Sequence, residues 1–349
     1  MKFCIFVESE INGGLNTFLF NLISKKENNQ IELVCNKNFF IDKKIRKKIK
    51  IIRYNFLEDQ NKILKFLFFS KKIIKFIKII SKIKSDRILV INGGHPGGIN
   101  SIFAIIAWKL KKKNSNVIYN FHNLVSKANY KTFIIHIFTN LIVYLLAKKI
   151  ITVSSSALKS AENIYILKNK YKKIIFNGTL DLSNLLKIKY IKSKKYFLIL
   201  ASYEKRKGIH IAIDAFNNFC EKNNNYSLYI CGDKNGGYFQ SINNQVSSLK
   251  YKSKIKLLPF TNKKINLIAE CEALIMPSIS FESFGYTLIE AMSLSKIIMA
   301  SNVGGMPEII KKGYNGYIFS PNNSKNLQRL LFSVIKEKKI VKDRIKKNA

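Results

Sequence analysis

Acidic residues are scarce in this chain. Its 349 residues hold 21 Asp and Glu against 61 Lys and Arg, a net charge of +40. That balance excludes an acidic, cation-gathering protein. It favours anionic partners: phosphorylated small molecules, lipid headgroups or nucleic acid. The excess is not a tail, because residues 1–190 carry 35 basic and 10 acidic side chains and residues 191–349 carry 26 and 11. Cysteine is also sparse. Cys4, Cys35, Cys220, Cys231 and Cys271 are scattered, odd in number and without a CxxC pair. This argues against a disulfide framework or a zinc site and predicts reduced, intracellular thiols. No Asp-x-Asp triplet occurs, so no catalytic metal is expected. Long apolar runs are missing too. The longest, Phe133 to Ala147, is interrupted by His136, Thr139 and Asn140 and is too short and polar to span a bilayer. A strand-like pattern begins at Lys2, so no signal peptide is expected. These features predict a cytoplasmic protein.

What the chain does have is alternation. Hydrophobic residues make up 47%, enough for packed cores. Short apolar runs at Lys2–Val7, Ile31–Cys35, Arg87–Ile91, Asn116–Phe121, Ile150–Val153 and Lys172–Phe176 read as buried strands, several of them separated by helical patterns. The scheme repeats at Tyr196–Ala201, Ser227–Cys231, Ile255–Leu258, Ala273–Met276 and Ile297–Ala300. Such βαβ order predicts an α/β fold with two Rossmann-like domains and parallel sheets. The join is expected near the polar segment Leu182–Lys195, giving domains 1–185 and 186–349. Ligands of such sheets bind beyond the carboxyl ends of the strands.

The segment Phe281-Glu282-Ser283-Phe284-Gly285-Tyr286-Thr287-Leu288-Ile289-Glu290-Ala291-Met292 follows a strand and enters a predicted helix. Free N–H groups at a helix start make an anion site, and Gly285 permits close approach there. Glu290, about one and a half turns in, could accept hydrogen bonds from vicinal ribose hydroxyls. From spacing alone, two glutamates that merely cap or solvate a helix explain the pattern equally well. Gly304-Gly305-Met306-Pro307-Glu308 opens another helix. Lys205, Arg206 and Lys207 before Gly208 could neutralise a diphosphate, or form a solvated basic loop. Gly232 could admit part of a nucleotide or make a turn.

Taken together, Pro277-Ser278, Phe281 to Gly285, Glu290-Ala291-Met292, Gly304 to Glu308 and Gly316 resemble the signature of family 4 (group 1) glycosyltransferases. The resemblance implies a GT-B fold, two Rossmann-like domains facing a cleft, and sugar transfer from a nucleotide-sugar with retention at the anomeric carbon. The first domain would serve the acceptor and the second the donor, with the last helix returning to the first domain. Glu290 would bind the donor ribose. Phe284 and Gly285, with Ser283 and Tyr286 beside them, would meet the diphosphate or sugar. Glu282 would sit near the transferred sugar, and Lys207 with Arg206 would contact the diphosphate. Gly13 and Gly14 match a Gly-Gly loop after the first strand, and His122 a strand-end histidine that contacts the sugar. His95, in a Gly-rich loop, is expected on the acceptor side. The catalytic set would be His122, Glu282 and Lys207, with neither cofactor nor metal. In front-face transfer the leaving diphosphate itself takes the acceptor's proton.

The chain departs from the family in three places. Ser202 stands where an arginine is usual, and Ser295 replaces a glycine. Asn177-Gly178-Thr179-Leu180-Asp181 is one residue longer than the family's loop, so Asp181 has no assigned role. The expected partners are a nucleotide-sugar, a glycan or lipid-linked acceptor of surface polysaccharide or lipopolysaccharide, and an anionic membrane surface. Membrane contact is placed on Lys62–Lys84, where Lys71, Lys75, Lys78 and Lys82 share a helical face; a domain helix with a solvated face is the plainer reading. A catalytically silent relative and a charge-driven nucleic-acid binder remain as alternatives. The second lacks a recognisable binding motif.

Overall fold

The computed structural model describes residues 2–8, 14–24, 31–41, 46, 48–55, 65–126, 128–185, 195–235 and 237–336. The chain divides into two units, Met1–Asn177 and Gly178–Ala349. In the first, the described strands form a seven-stranded sheet in the order β3-β2-β1-β4-β5-β6-β7. They are β1 (Phe3–Glu8), β2 (Ile31–Asn36), β3 (Lys50–Tyr54), β4 (Arg87–Asn92), β5 (Asn116–Phe121), β6 (Lys149–Thr152) and β7 (Lys172–Ile174). All pairings are parallel, for example Cys4 with Glu32 and with Ile88. The second unit holds a six-stranded parallel sheet in the order β10-β9-β8-β11-β12-β13. Its strands are β8 (Tyr196–Leu200), β9 (Ser227–Gly232), β10 (Ile255–Pro259), β11 (Ala273–Met276), β12 (Ile297–Ser301) and β13 (Tyr317–Phe319).

Apolar residues on these strands are buried nearly throughout, as sheets covered by helices require. In the second unit Phe197, Phe216 and Phe219 pack together with Ile230 and Leu331 on one side of the sheet. Leu198, Leu274, Leu288 and Met306 fill another cluster. In the first unit Phe6 stacks on Tyr54 and Phe76 meets both edge-on, with centroids 5.3 to 5.6 Å apart.

Two strands are absent from the sequence reading. β3 is a half-exposed edge strand inside a Lys-rich run with no firm period, and β13 spans three residues. The Lys-rich segment expected at a membrane forms the helix Lys65–Ile80; residues 62–64 lie outside the described residues. Lys71, Lys75 and Lys78 are exposed, whereas Phe76 and Ile80 are in the core. Part of its apolar face thus packs on its own unit, Ile74 stays exposed, and Lys82 lies past the helix end. The tail residues 337–349 lie outside the described residues.

Candidate active site

In the second unit β8, β11 and β12 are neighbours, so the loops leaving their carboxyl ends lie side by side. Main-chain bonds lace them together. Ile279 N donates to Arg206 O at 2.9 Å, and Gly305 N donates to Glu282 O at 2.8 Å. Gly304 has φ +59°, and a Cβ there would sit 2.1 Å from Glu282 O. Its missing side chain therefore makes room for the Glu282 backbone and not for a ligand. Gly232 is similar: a Cβ would lie 1.8 Å from Ala201 O, so this glycine lets the ends of β8 and β9 pack. Its expected contact with a nucleotide is not needed to explain it.

The basic segment forms a 3-10 turn, Lys205–Lys207, before the helix Ile209–Cys220. Lys207 Nζ lies 2.5 Å from Glu282 Oε2, and both side chains are 16% exposed. Arg206 Nη1 is 3.9 Å from the same oxygen, while its Nε donates to Glu204 Oε2 at 2.6 Å. Ser202 Oγ donates to the other oxygen of Glu204. Ser202 thus holds Glu204, which holds Arg206 beside Glu282. A second cation stands at the site, although its usual position in the chain carries a serine. Lys205 is exposed and has no such contact among the described residues.

Glu290 lies in the helix Tyr286–Ser293 and is 4% exposed. Such burial of a carboxylate calls for a partner. Lys264 Nζ supplies it at 2.6 Å from Oε1, from the start of the helix Lys264–Glu270. Oε2 has no partner among the described residues. Tyr286 stands one turn before Glu290, and its buried hydroxyl lacks a hydrogen-bond partner. Burial first, then the Glu290 charge, push that phenol's ionisation far upward, so it stays a donor. Phe284 is buried, with its ring 6.0 Å from that of Tyr286. Gly285 directly precedes the helix and Ser283 is half-buried. The structure therefore brings Arg206, Lys207, Glu282, Ser283 and Gly285 to adjoining loops, with Tyr286 and Glu290 on the helix that follows. Sequence reasoning missed Lys264, which carries no mark in a chain so rich in lysine. Tyr286, expected beside the diphosphate or sugar, stands four residues before Glu290 and so on the same helical face.

The first unit carries the remaining expected residues. Gly14 opens the helix Gly14–Ser24, and Gly13 lies outside the described residues. His122 follows β5 and packs edge-on to Phe18 at 4.4 Å; its Nε2 is buried without a partner. His95 departs from expectation. It is 1% exposed, with one ring nitrogen 3.1 Å from Tyr119 Oη and the other 2.6 Å from Asn140 Oδ1. Both nitrogens serve the unit's own interior, so an acceptor finds no free one. Glu8 caps the helix Ile99–Lys111, accepting from Asn100 N at 3.2 Å and Ser101 N at 2.6 Å. Among the described residues no group of three or more His, Cys, Asp or Glu is placed to hold a metal ion.

Burial has a consequence for pH. It lowers His95 to about 4 and His122 to about 3 from 6.5, and raises Glu8 to about 7 from 4.5. Between pH 4.5 and 6.5 the unfolded chain protonates both histidines, which the fold keeps neutral. The fold in turn keeps a proton on Glu8 that the unfolded chain releases. Across these three groups the unfolded state binds about one proton more, so they lower stability by about 1.4 kcal/mol per unit as pH falls, and His210, also lowered by burial, acts in the same direction. Glu8→Gln removes the opposing contribution and steepens the slope by about 1.4 kcal/mol per unit. Urea midpoints of both proteins across this window measure it; equal slopes contradict the assignment.

Residues 185–349 match the family model described as glycosyl transferases group 1. A stretch of 147 residues is 31% identical to an uncharacterized glycosyltransferase of Methanocaldococcus jannaschii, covering 42% of this chain and 39% of that protein. Over 161 residues the chain is 31% identical to an alpha-1,3/1,6-mannosyltransferase of Dictyostelium discoideum, covering 40% of this chain and 37% of the relative. The matched stretches thus span well under half of these relatives. The fold as a whole matches Anabaena HepE in complex with UDP-glucose, with a TM-score of 0.74 and 18% identity over 100% of this chain and 93% of that one. It also matches the lipopolysaccharide outer core galactosyltransferase WaaB, with a TM-score of 0.69 and 20% identity over 100% and 95%. Two parallel-sheet α/β units, the laced loops beyond β8, β11 and β12, and the match over residues 185–349 converge: residues 185–349 belong to the group 1 glycosyltransferases, and the chain has the GT-B fold of the solved structures it matches.

Proposed function

We propose that this chain transfers a sugar from a nucleoside-diphosphate-sugar to a glycan or lipid-linked acceptor, with retention and without a metal. The observation that carries the reading is the side-by-side placement of Lys207, Arg206 and Glu282 on loops beyond β8 and β11, with the buried Glu290 on the helix that follows. In the proposed reaction the bond between the anomeric carbon and the leaving phosphate oxygen breaks. The acceptor oxygen bonds the same face, and its proton passes to the departing diphosphate. Lys207 and Arg206 neutralise that diphosphate, which lowers the barrier where negative charge develops. Glu290 Oε2 and the Tyr286 hydroxyl hold the ribose, and Glu282 faces the transferred sugar. The first unit takes the acceptor side, with His122 offering its unpaired Nε2.

A solved relative holding UDP-glucose and another named for lipopolysaccharide support a sugar nucleotide as donor and a surface glycan as the setting. Among the described residues no helix is long and apolar enough to cross a membrane. The test needs no acceptor. A panel of nucleoside-diphosphate-sugars is incubated with the protein and a chelator, and the released sugar is followed by NMR. Slow hydrolysis that frees the sugar with its original anomeric configuration is expected. Inverted product, or hydrolysis only with added metal, contradicts the proposal.

A further inference from the structure

The helix Phe133–Leu146 is built inside out. His136, Thr139, Asn140 and Val143 face the interior, where Asn140 meets His95. The same spacing of three and four sends Ile134, Ile137, Leu141 and Leu145 to the opposite face. Ile134 is 82% exposed, Leu145 59% and Phe133 57%. The helix carries no charged residue at all. A helix that meets water has the reverse pattern. Single exposed apolar residues are ordinary, but a stripe running the length of a helix marks an interaction surface.

The flanks of this stripe are cationic and aromatic. Lys131 Nζ lies 5.4 Å from the ring centroid of the exposed Tyr130. Lys170 Nζ lies 5.4 Å from the Tyr144 ring and donates to Tyr144 O. Lys149 stands 5.4 Å from Tyr171. Between Asn129 and Phe176 the sequence has eight lysines and a single acidic residue, Glu162. We propose that this face docks on an anionic lipid bilayer, with Ile134, Ile137, Leu141 and Leu145 entering the headgroup boundary and the lysines meeting the headgroups. Apolar residues on one face with lysines beside them form the pattern of an interfacial helix. A second copy of the chain suits the face poorly, since pairing would bring two lysine rims together in a chain of charge +40. The proposal goes beyond the sugar-transfer reading and needs no donor or turnover, so either can fail without the other.

Vesicle flotation tests it, using phosphatidylcholine vesicles with and without phosphatidylglycerol. Wild-type protein is expected to bind the anionic vesicles and to remain partly bound at about 0.5 M salt, where exposed charges are screened. The exposed, charge-neutral pair Ile134→Gln/Leu141→Gln weakens partition about tenfold or more. Lys71→Gln/Lys75→Gln/Lys78→Gln, on the other helix, removes charge yet weakens it less. Circular dichroism confirms that each variant is folded. Equal binding by the Ile134→Gln/Leu141→Gln variant, complete release by salt, or no vesicle binding overturns the proposal. So does a wild-type dimer in light scattering that this pair makes monomeric, because a second copy then covers the face.

Discussion

Lys207→Ala lowers the turnover of nucleoside-diphosphate-sugar about 10²- to 10³-fold, the cost typical of removing one preorganised charge-stabilising group. Lys207 is the better buried of the two cations beside Glu282, and the shielding that buries it strengthens its field at a departing diphosphate. Arg206 is 45% exposed and shared with Glu204, so Arg206→Ala costs roughly tenfold. The effect falls on kcat more than on KM, because charge on the leaving group grows toward the transition state. Affinity for a nucleoside without phosphates stays unchanged. A Lys207→Ala enzyme that keeps wild-type kcat removes Lys207 from the mechanism. If nucleoside affinity fell equally, the substitution acts through folding of the second unit.

Glu290→Gln weakens binding of the nucleoside diphosphate about 100-fold. Lys264 leaves Glu290 Oε2 open, and a charge-assisted bond to it from a ribose hydroxyl is worth about 1.5–3 kcal/mol. The amide turns its one oxygen to the Lys264 ammonium and faces the hydroxyl with a donor. The 2′-deoxy nucleotide separates recognition from general damage. Wild type discriminates against it, and Glu290→Gln discriminates little, because the group that reads the hydroxyl is gone. Lys264 sharpens the test. It holds Glu290 Oε1 across 26 residues of sequence, so Lys264→Met frees a buried carboxylate and lowers stability while leaving the ribose preference in place. Isothermal titration of both nucleotides against the three proteins reads all of this. Unchanged ribose preference in Glu290→Gln contradicts the assignment.

The parts legible in the sequence were those with a short-range signature. Buried parallel strands read as compact apolar runs, so Asn116–Phe121 and Ala273–Met276 coincide with β5 and β11. Glu290 was legible because strand, glycine turn and helix follow one another within a few residues. The pairing of Lys207 with Glu282 was not, since 75 residues separate them and only the adjacency of β8 and β11 brings them together. His95 misled because glycines around it read as an open loop, whereas Tyr119 and Asn140, on separate elements, enclose it. For Gly232 the sequence leaves a turn and an opening for part of a nucleotide as alternatives, and the structure fills the space beside it with backbone from Ala201. The helix Phe133–Leu146 shows the opposite case. His136, Thr139 and Asn140 were visible as polar interruptions, and their spacing already placed them on one face. That this face points inward follows only from the fold.

The measurement that tests the account most directly is calorimetric titration of nucleoside diphosphates into the wild-type protein with chelator present. The account predicts that one base binds with micromolar affinity in chelator, and that Glu290→Gln abolishes most of that affinity. If no nucleoside diphosphate binds, or binding appears only with added metal, the donor site proposed beyond β8 and β11 is wrong.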